Sequence, residues 1–289
     1  MTIRVGVAGT GHWARTVHAA GVAASPYSFA GIWGRDEVRA TEAADAHGVP
    51  VFTDFDTFLG AVDAVSFALP PHVQAPLATR AARAGKHLLL EKPIATNVAA
   101  ADELVDAAGD VASVVFLTGR FVPAWEEWLH SVHPGRVESG RAEWLVRMSP
   151  TGPYAGSLWR KDRGALWDVG PHALSVLLPI LGSVVSVAGA HGRGDHVELV
   201  LTHEHGGLST MSLSMSLATD DRRISAEFWG QDGHQVRPDV PRDVAAAYAT
   251  ALSELVATAE AGQTGHRCDV RFGREIVDVL ARCEEVLSR

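Results

Sequence analysis

The sequence is 289 residues long, 47% of them apolar, and carries a formal net charge of −9 with a pI near 5.8. This length and apolar content allow a substantial buried core in one large or two ordinary domains. An acidic chain with scattered Lys and Arg residues is a poor partner for nucleic acid or an anionic membrane, so we expect neither.

Residues 1–120 alternate short apolar runs with helical patterns. The predicted strands cover residues 3–8, 29–33, 62–69, 87–90 and 113–118. The predicted helices cover residues 13–24, 37–47, 73–84 and 97–108, the last capped by Thr96 or Asn97. Continuous apolar strands that alternate with helices indicate a parallel sheet covered on both faces.

After residue 120 the pattern changes. A predicted helix at 124–131 and a strand at 141–147 lead to a helix that ends in LSVLLPILG. Further strands are predicted at 184–190, 197–203, 208–215 and 224–229, with the turn signals HEHGG and GQDG between them. Strands joined by short turns indicate an antiparallel sheet. We therefore expect one domain at 1–120 and a second at 121–289, whose final helices, 244–261 and 270–287, are able to pack back on the first.

The sequence also predicts where the protein resides. No charged n-region with an apolar segment precedes the first strand, and no apolar run approaches about 18 residues, so we expect a soluble cytoplasmic protein. Cys268 and Cys283 are expected as thiols in a reducing compartment, and a disulfide is the alternative. None of the 14 histidines stands in a HExxH-like frame, so we expect no metal.

A glycine turn follows the first strand. The segment VGVAGTGHWA places Gly9 and Gly11 directly after that strand, and Ala14 stands where a third small residue is needed. One glycine permits the tight turn, the next lets the backbone approach a pyrophosphate, and the helix N-terminus faces the anion. The position between a strand and a helix indicates a dinucleotide-binding turn, with a purely structural turn as the alternative.

The end of the second strand bears on which dinucleotide is bound. An acid at this point usually binds the ribose hydroxyls, but here Gly34 and Arg35 come first and Asp36 only afterwards. A guanidinium at this position stacks on adenine and pairs with a 2′-phosphate. In the alternative interpretation Asp36 only caps the next helix and Arg35 is a solvated surface residue.

Two further segments carry polar groups suited to chemistry. LLLEKPIAT places Lys92 at the tip of an apolar strand. In LWDVGPHAL, Asp168 and His172 are four residues apart and share a helix face. Pro171 predicts that the helix begins shortly before it, which puts both side chains near the positive end of the helix dipole and favours an ionised aspartate and a neutral imidazole base. Either the histidine or the lysine alone is more simply a structural residue.

Three pieces of the sequence together resemble a known family. They are GTGHWA, the block ALPPHVQAPLATRAARAGKHLLLEKP, and WR followed by LWDVGPHAL. In this order and spacing the chain resembles the glucose–fructose oxidoreductase / inositol dehydrogenase / MocA family of NAD(P)-dependent oxidoreductases. The resemblance implies an α/β fold: a Rossmann domain with a doubly wound parallel sheet, then an α+β domain with a large, mostly antiparallel open sheet. It also implies a homodimer or homotetramer.

The resemblance assigns roles to individual residues. Lys92, Asp168 and His172 are the implied catalytic residues: Lys92 is directed at the substrate hydroxyl and His172 is the acid/base. Arg120 and Trp159 are the implied substrate contacts. The implied cofactor contacts are Gly9, Thr10, Gly11, His12, Trp13, Gly34, Arg35, Leu69, Pro70, Gln74, Glu91 and Lys92. The chain departs from the family pattern at Arg163-Gly164-Ala165, where a glycine triplet is common, and at Gln74, where a histidine is frequent.

We therefore expect hydride transfer between a nicotinamide cofactor, NADP with NAD possible, and a secondary alcohol or ketone of a sugar, polyol or related ring. Three alternatives stay open. They are imine or enal reduction, redox-assisted glycoside cleavage, and a non-catalytic dinucleotide sensor.

Overall fold

The computed structural model describes residues 2–149, 151–217 and 222–289. The chain divides into two compact units. Unit 1 comprises Met1–Phe121 and Asp243–Arg274, and unit 2 comprises Val122–Arg242 and Glu275–Arg289. The chain leaves unit 1 after Phe121, returns to it at Asp243 and passes into unit 2 again after Arg274, inside the last helix.

Unit 1 is built on a sheet of six parallel strands. In chain order these are β1 (Arg4–Ala8), β2 (Ser28–Trp33), β3 (Val51–Phe52), β4 (Ala64–Phe67), β5 (His87–Leu90) and β6 (Ser113–Val115). They are arranged as β3-β2-β1-β4-β5-β6, the strand order of a Rossmann fold, with the topological switch beside β1. The predicted doubly wound parallel sheet is confirmed.

The helices of the chain are α1 (Ala20–Ala23), which continues a π-helix at Ala14–Ala19, α2 (Glu37–Asp45), α3 (Phe55–Ala61), α4 (Pro71–Arg83), α5 (Val98–Ala107), α6 (Pro123–Ser131), α7 (Leu158–Leu181), α8 (Val244–Glu260) and α9 (Val270–Leu287). Four of them begin at a residue whose side chain accepts a hydrogen bond from a backbone N–H three residues on: Asp36, Asp54, Asn97 and Asp243. Such caps satisfy donors that the first turn leaves unpaired. The cap at Asn97 was one of the two predicted.

Unit 2 is built on a second sheet of six strands. These are β7 (Val137–Leu145), β8 (Val184–His191), β9 (Val197–His203), β10 (Leu208–Ser214), β11 (Arg223–Gly230) and β12 (Gly233–Val236). They lie in the order β12-β11-β7-β10-β9-β8, and every neighbouring pair is antiparallel except β7 with β10. The predicted large, mostly antiparallel sheet is therefore confirmed.

The two faces of this sheet differ in character. Paired residues on neighbouring strands point to the same face of a sheet. On β7 and β10 the buried face, which packs against helix α7, carries Ala142, Trp144, Met211 and Leu213. By the same register, the other face carries Val200, Leu208, Trp229 and Val236, which are 44%, 49%, 37% and 51% exposed. The sheet thus has a covered side and a side with apolar residues open to solvent.

Helix α7 corrects one sequence prediction. Its φ of 60° at Gly164 breaks the helix, so a new helical segment begins directly after that residue rather than shortly before Pro171. Pro171 therefore lies inside the helix. The residue before a proline usually avoids the helical region because its Cβ and N–H crowd the proline ring, and Gly170 has no Cβ. Asp168 stands in the first turn of the new segment, but His172 lies a turn further on, where the helix dipole acts weakly.

Two further features concern burial. By length and composition helix α7 is able to cross a membrane, and 78% of its apolar stretch is buried, as in the core helix of a folded domain. Cys268 and Cys283 are buried and free, as predicted, and burial raises the pKa of the Cys283 thiol to about 12. A thiol with so high a pKa carries almost no thiolate at neutral pH and is a poor nucleophile.

Candidate active site

The predicted cofactor residues of unit 1 gather at one edge of its sheet. Each group follows a parallel strand: Gly9–Trp13 after β1, Gly34 and Arg35 after β2, Leu69 and Pro70 after β4, and Glu91 and Lys92 after β5. The carboxyl ends of parallel strands meet at the same edge, which is where open α/β sheets bind ligands. The topology therefore brings these sequence-distant segments together.

The turn after β1 requires glycine for two different reasons. Gly9 has a φ of 136°, and a Cβ added there would lie 2.5 Å from the carbonyl oxygen of Ala68. A Cβ added at Gly11 would meet no atom within 4 Å, so the chain itself leaves open the space in front of this helix N-terminus. That space fits a pyrophosphate approached by backbone N–H groups, which a side chain at residue 11 would fill.

The end of β2 decides the role of Asp36. The strand ends at Trp33, as predicted, and the carboxylate of Asp36 accepts a hydrogen bond of 3.1 Å from the backbone N–H of Arg39. Asp36 is thus the N-cap of α2, which is one of the two roles considered for it. Gly34 lies close to the glycine turn, since a Cβ there would stand 2.5 Å from Thr10 Cγ2. Arg35 is exposed.

The segment that carries Lys92 is held by buried groups. The side chain of Gln74 is fully buried, and its Nε2 donates to the carbonyl of Glu91 at 2.7 Å while its Oε1 accepts from the Glu91 N–H at 2.9 Å. Lys92 itself is half-buried and joined to Pro93 by a cis peptide bond. Gln74 was predicted as a cofactor contact; in this structure its amide fixes the backbone beside the lysine.

The Glu91 carboxylate is contacted by two side chains, and the sequence did not reveal these contacts. Trp13 Nε1 donates to Glu91 Oε1 at 2.7 Å, and His18 Nε2 lies 3.1 Å from the same oxygen. His18 Nδ1 is 2.9 Å from Ser66 Oγ, which is in turn 2.7 Å from the hydroxyl of Tyr248. The sequence signal for His18 was slight: one polar residue on the apolar face of the helix in VHAAGVAA.

Arg120 lies on the 3-10 turn Thr118–Phe121, which begins three residues after the end of β6. It is only 5% exposed, its guanidinium carbon lies 6.0 Å from the ring centre of Phe272, and its carbonyl accepts from Arg267. Arg120 is therefore a packed residue of unit 1. Its contact with a substrate stays a prediction.

In unit 2 the structure gives Asp168 a partner that was not predicted. Asp168 is 6% exposed, and its Oδ2 accepts a hydrogen bond of 2.9 Å from Arg160 Nε. The Arg160 guanidinium carbon also lies 4.4 Å from the ring centre of Tyr154 and 5.2 Å from that of Trp159. Trp159 thus packs on the arginine that holds Asp168, and its contact with a substrate stays a prediction.

His172 follows Asp168 by one helical turn and is half-buried. Its ring stacks on Trp144 of β7, with the ring centres 6.3 Å apart and an interplanar angle of 13°. This stacking fixes the plane of the imidazole. Within the described residues, no group of three His, Cys, Asp or Glu side chains is placed to hold a metal ion.

Comparison with known proteins identifies the family. The sequence model described as "Oxidoreductase family, NAD-binding Rossmann fold" matches residues 3–118, and the model described as "GFO/IDH/MocA C-terminal domain" matches residues 122–236. The chain belongs to the GFO/IDH/MocA family. The predicted membership is confirmed, and with it an NAD-binding type of Rossmann domain.

Relatives within the GFO/IDH/MocA family have names that refer to sugars and polyols. The chain is 33% identical to a dTDP-3,4-didehydro-2,6-dideoxy-alpha-D-glucose 3-reductase of Streptomyces violaceoruber, over 68% of this chain and 59% of that protein. It is 28% identical to a UDP-N-acetylglucosamine 3-dehydrogenase of Acidithiobacillus ferrooxidans, over 78% and 71%. An inositol 2-dehydrogenase of Saccharopolyspora erythraea is 32% identical, over 66% and 57%. The matches thus span little more than half the length of several relatives.

Solved structures of other proteins share the fold over nearly the whole chain. The UDP-N-acetylglucosamine 3-dehydrogenase from Acidithiobacillus ferrooxidans superposes with a TM-score of 0.84 at 22% identity, covering 99% of this chain and 98% of that one. A levoglucosan dehydrogenase in complex with NADH superposes with a TM-score of 0.85 at 18% identity, covering 100% and 97%. At such identities the likeness establishes the GFO/IDH/MocA fold and no more.

Proposed function

We propose that the protein is an NAD(P)-dependent oxidoreductase that transfers a hydride between nicotinamide and a secondary alcohol or ketone of a sugar, polyol or related ring. The observation that carries the proposal is the half-buried Lys92 at the ligand-binding edge of an NAD-binding Rossmann sheet, on a backbone fixed by the buried amide of Gln74. A lysine with its backbone so fixed is suited to act on a bound substrate, because catalytic groups must be held in place. Relatives named as a sugar reductase, a sugar dehydrogenase and an inositol dehydrogenase support the substrate class.

The proposed mechanism divides the work among three side chains. A bound nicotinamide supplies the two-electron chemistry by accepting or donating a hydride. In the oxidation direction His172 takes the proton of the substrate hydroxyl as a general base, and Lys92 stabilises the negative charge that develops on that oxygen. Asp168, itself held by Arg160, orients the substrate and the imidazole. In the reduction direction His172 returns the proton to the oxygen.

We propose NADP as the preferred cofactor. Support comes from the exposed guanidinium of Arg35 and from Asp36, whose carboxylate is engaged in capping α2. The bond directs that carboxylate at the backbone N–H of Arg39 rather than at a ribose, and Arg35 is available to pair with a 2′-phosphate. Use of NAD is the alternative.

We also propose that the protein self-associates through the open face of the unit 2 sheet. Val200, Leu208, Trp229 and Val236 lie on that face and are each more than a third exposed. Apolar residues gathered on one side of a sheet are expected to be covered, and a second copy of the same chain is the simplest cover for such a face.

The test of the proposed function is an assay of NAD(P)H absorbance against a panel of sugar and polyol alcohols and their ketones, run beside a glycoside-release assay. We expect net cofactor reduction or oxidation with at least one panel member. Glycoside release without net redox change would assign redox-assisted glycoside cleavage instead. Binding of dinucleotide without turnover on any substrate class, imines and enals included, would assign a sensor.

A further inference from the structure

A line of buried hydrogen bonds runs from helix α8 to the Glu91 carboxylate. It passes from the Tyr248 hydroxyl to Ser66 Oγ, then to the His18 ring, then to Glu91 Oε1, over 2.7, 2.9 and 3.1 Å. Tyr248, Ser66 and His18 are all 0% exposed. Burying polar groups is costly unless they bond to one another, so three of them in a line form a built network rather than a chance contact.

The chemistry of the donors fixes the direction of these bonds. Trp13 Nε1 only donates, so Glu91 Oε1 is an acceptor, and His18 Nε2–H is assigned as a second donor to it. His18 Nδ1 then accepts from the Ser66 hydroxyl, which itself accepts from Tyr248. Burial raises the pKa of the Tyr248 hydroxyl, which keeps its proton available to donate. In this assignment every donor is used once, and all bonds point towards Glu91.

Packing holds the His18 ring in one orientation. His18 lies in the π-helix Ala14–Ala19, a rare conformation that is frequently found at functional sites. Its ring centre is 4.9 Å from that of Tyr248 and 6.2 Å from that of Phe116. Gly21 permits the approach of Tyr248, because a Cβ there would lie 2.2 Å from the tyrosine ring.

The network orients Glu91 rather than conducting protons. A proton path needs an exit to solvent, and this line ends on the Tyr248 hydroxyl, which is fully buried. At its other end Glu91 Oε2 lies 3.3 Å from the backbone N–H of Lys92, and Gln74 bonds both backbone groups of Glu91. Any change in the Glu91 carboxylate is therefore passed directly to the backbone that carries Lys92.

We propose that His18 is a positioning residue for Lys92: as a fixed Nε2–H donor it holds the Glu91 carboxylate, and through it the place of the lysine ammonium group. This inference rests on the proposed function for the role of Lys92 in turnover. The His18–Glu91 bond itself does not, and it is measurable without any substrate. A misplacement of about 1 Å in a catalytic group costs about a hundredfold in rate.

The experiment compares two substitutions of similar size. His18→Gln retains an amide N–H donor towards Glu91, whereas His18→Leu fills the same space with no donor. His47→Gln, at the end of α2 in the same unit, is the control, and Ser66→Ala removes the bond to Nδ1 with the least disturbance if His18→Leu does not fold. Each variant is measured for kcat, for KM of substrate and cofactor, and for hydrogen–deuterium exchange of the free protein at residues 88–96.

For His18→Leu we expect faster exchange at residues 88–96 and a fall in kcat of about ten- to a hundredfold, with cofactor KM within about threefold of wild type. We expect His18→Gln to recover most of the rate, His47→Gln to match wild type, and Ser66→Ala to show a smaller loss of the same kind. If wild type is active and His18→Leu keeps the wild-type kcat, the inference is overturned, whatever the exchange shows. Ser66→Ala takes the place of His18→Leu in this test if that variant does not fold. If wild type turns over no substrate but His18→Leu exchanges faster at residues 88–96, the positioning bond stands and the proposed function is overturned. If wild type turns over no substrate and the exchange is unchanged in the variant, both are overturned.

Discussion

Arg160 donates from Nε to Oδ2 of Asp168 over 2.9 Å, across the break that Gly164 makes in helix α7. The two residues belong to successive helical segments, so the bond depends on the angle at which the second segment starts. A left-handed φ of 60° is readily adopted only by glycine, which ties the Arg160–Asp168 bond to the residue at position 164. The arginine is 25% and the aspartate 8% exposed at the side chain, so the pair is largely shielded from solvent.

Removing the arginine from this pair is expected to reduce both stability and turnover. Arg160→Met keeps the aliphatic stem but removes the charged hydrogen bond from Arg160 to the Asp168 carboxylate, at a cost of roughly 1.5–3 kcal/mol in the free energy of unfolding. Lys161→Met, at the exposed neighbouring position, is the control and is expected to change neither quantity. Urea unfolding and steady-state kinetics on both variants make the comparison. Equal behaviour of the two variants would show that Arg160 does not hold Asp168.

Lys92→Ala and His172→Ala are each expected to reduce kcat by about a hundredfold or more, because both groups act on charge that develops only in the transition state. Cofactor affinity is expected to stay within about threefold, since neither group is assigned to the pyrophosphate. His172 also stacks on Trp144, so thermal unfolding must accompany the kinetics to separate a lost base from a loosened helix. Near-normal turnover in either variant, with the fold intact, would remove that residue from the mechanism.

The parallel sheet and the mostly antiparallel sheet were predictable because each strand carries a local signal: continuous apolar runs in unit 1 and runs separated by turn residues in unit 2. The elements missed were the shortest or least patterned. Strand β3 has only two residues, β12 lies beside the predicted turn GQDG, and α3 has only seven residues. A two-residue strand shows no periodicity, so only its pairing with β2 reveals it.

The candidate site was predictable as far as its motifs and no further. The glycine turn, Lys92 and the Asp168–His172 pair are local patterns. His18, Ser66 and Tyr248 are separated from their partners by 48 to 182 residues, and only the folded chain aligns them. The predicted start of the second segment of α7 was wrong because it took Pro171 to require the first turn of a helix, whereas Pro171, like Pro179 and Pro76 of α4, lies inside its helix. At Pro171 the missing Cβ of Gly170 relieves one of the clashes that disfavour this placement.

A charge on the open face of the unit 2 sheet is expected to prevent self-association. Wild type is expected to sediment as a dimer or tetramer of the 30.7 kDa chain, and Val200→Lys as a monomer. A two-fold interface brings the same residue in from both copies, so the substitution places two lysines in the interface of each dimer. Val38→Lys, at a 68% exposed valine in unit 1, is the matched control and should leave the assembly unchanged. Sedimentation velocity at micromolar concentration decides, and a monomeric wild type would contradict the proposal.

Stability is expected to fall as pH drops from about 7 to about 5, partly through His203. Burial lowers the pKa of this histidine, against the opposing bond from its Nδ1 to the Gly182 carbonyl, and Ser209 Oγ lies 2.8 Å from its Nε2. The neutral ring is therefore favoured in the fold. The contribution of His203 to the free energy of unfolding is complete above the ordinary pKa of histidine. It is lost as pH falls from that value towards the lowered pKa of the folded state, because the unfolded chain takes up the proton first.

His203→Gln should flatten this dependence, and His205→Gln should not, since the His205 side chain is 83% exposed. Chemical denaturation at a series of pH values gives the slopes. Some slope is expected to remain in His203→Gln, because burial also lowers the pKa of His87 in unit 1. A His203→Gln slope identical to that of wild type would show that another group carries the effect.

The choice between NADPH and NADH is expected to depend on Arg35 and not on Asp36. We expect wild type to bind NADPH more tightly than NADH, and Arg35→Ala to lose about ten- to a hundredfold in NADPH affinity with little change for NADH, as for one charge-assisted bond to a phosphate. Arg83→Ala, which changes an exposed arginine paired with Glu103 on another helix, is the control.

Asp36→Asn supplies the decisive comparison, because asparagine caps a helix as well as aspartate does but carries no charge. If Asp36 only caps α2, this variant binds NADH as wild type does. A loss of NADH affinity in Asp36→Asn, together with a wild-type preference for NADH, would assign the carboxylate to the ribose and the protein to NAD.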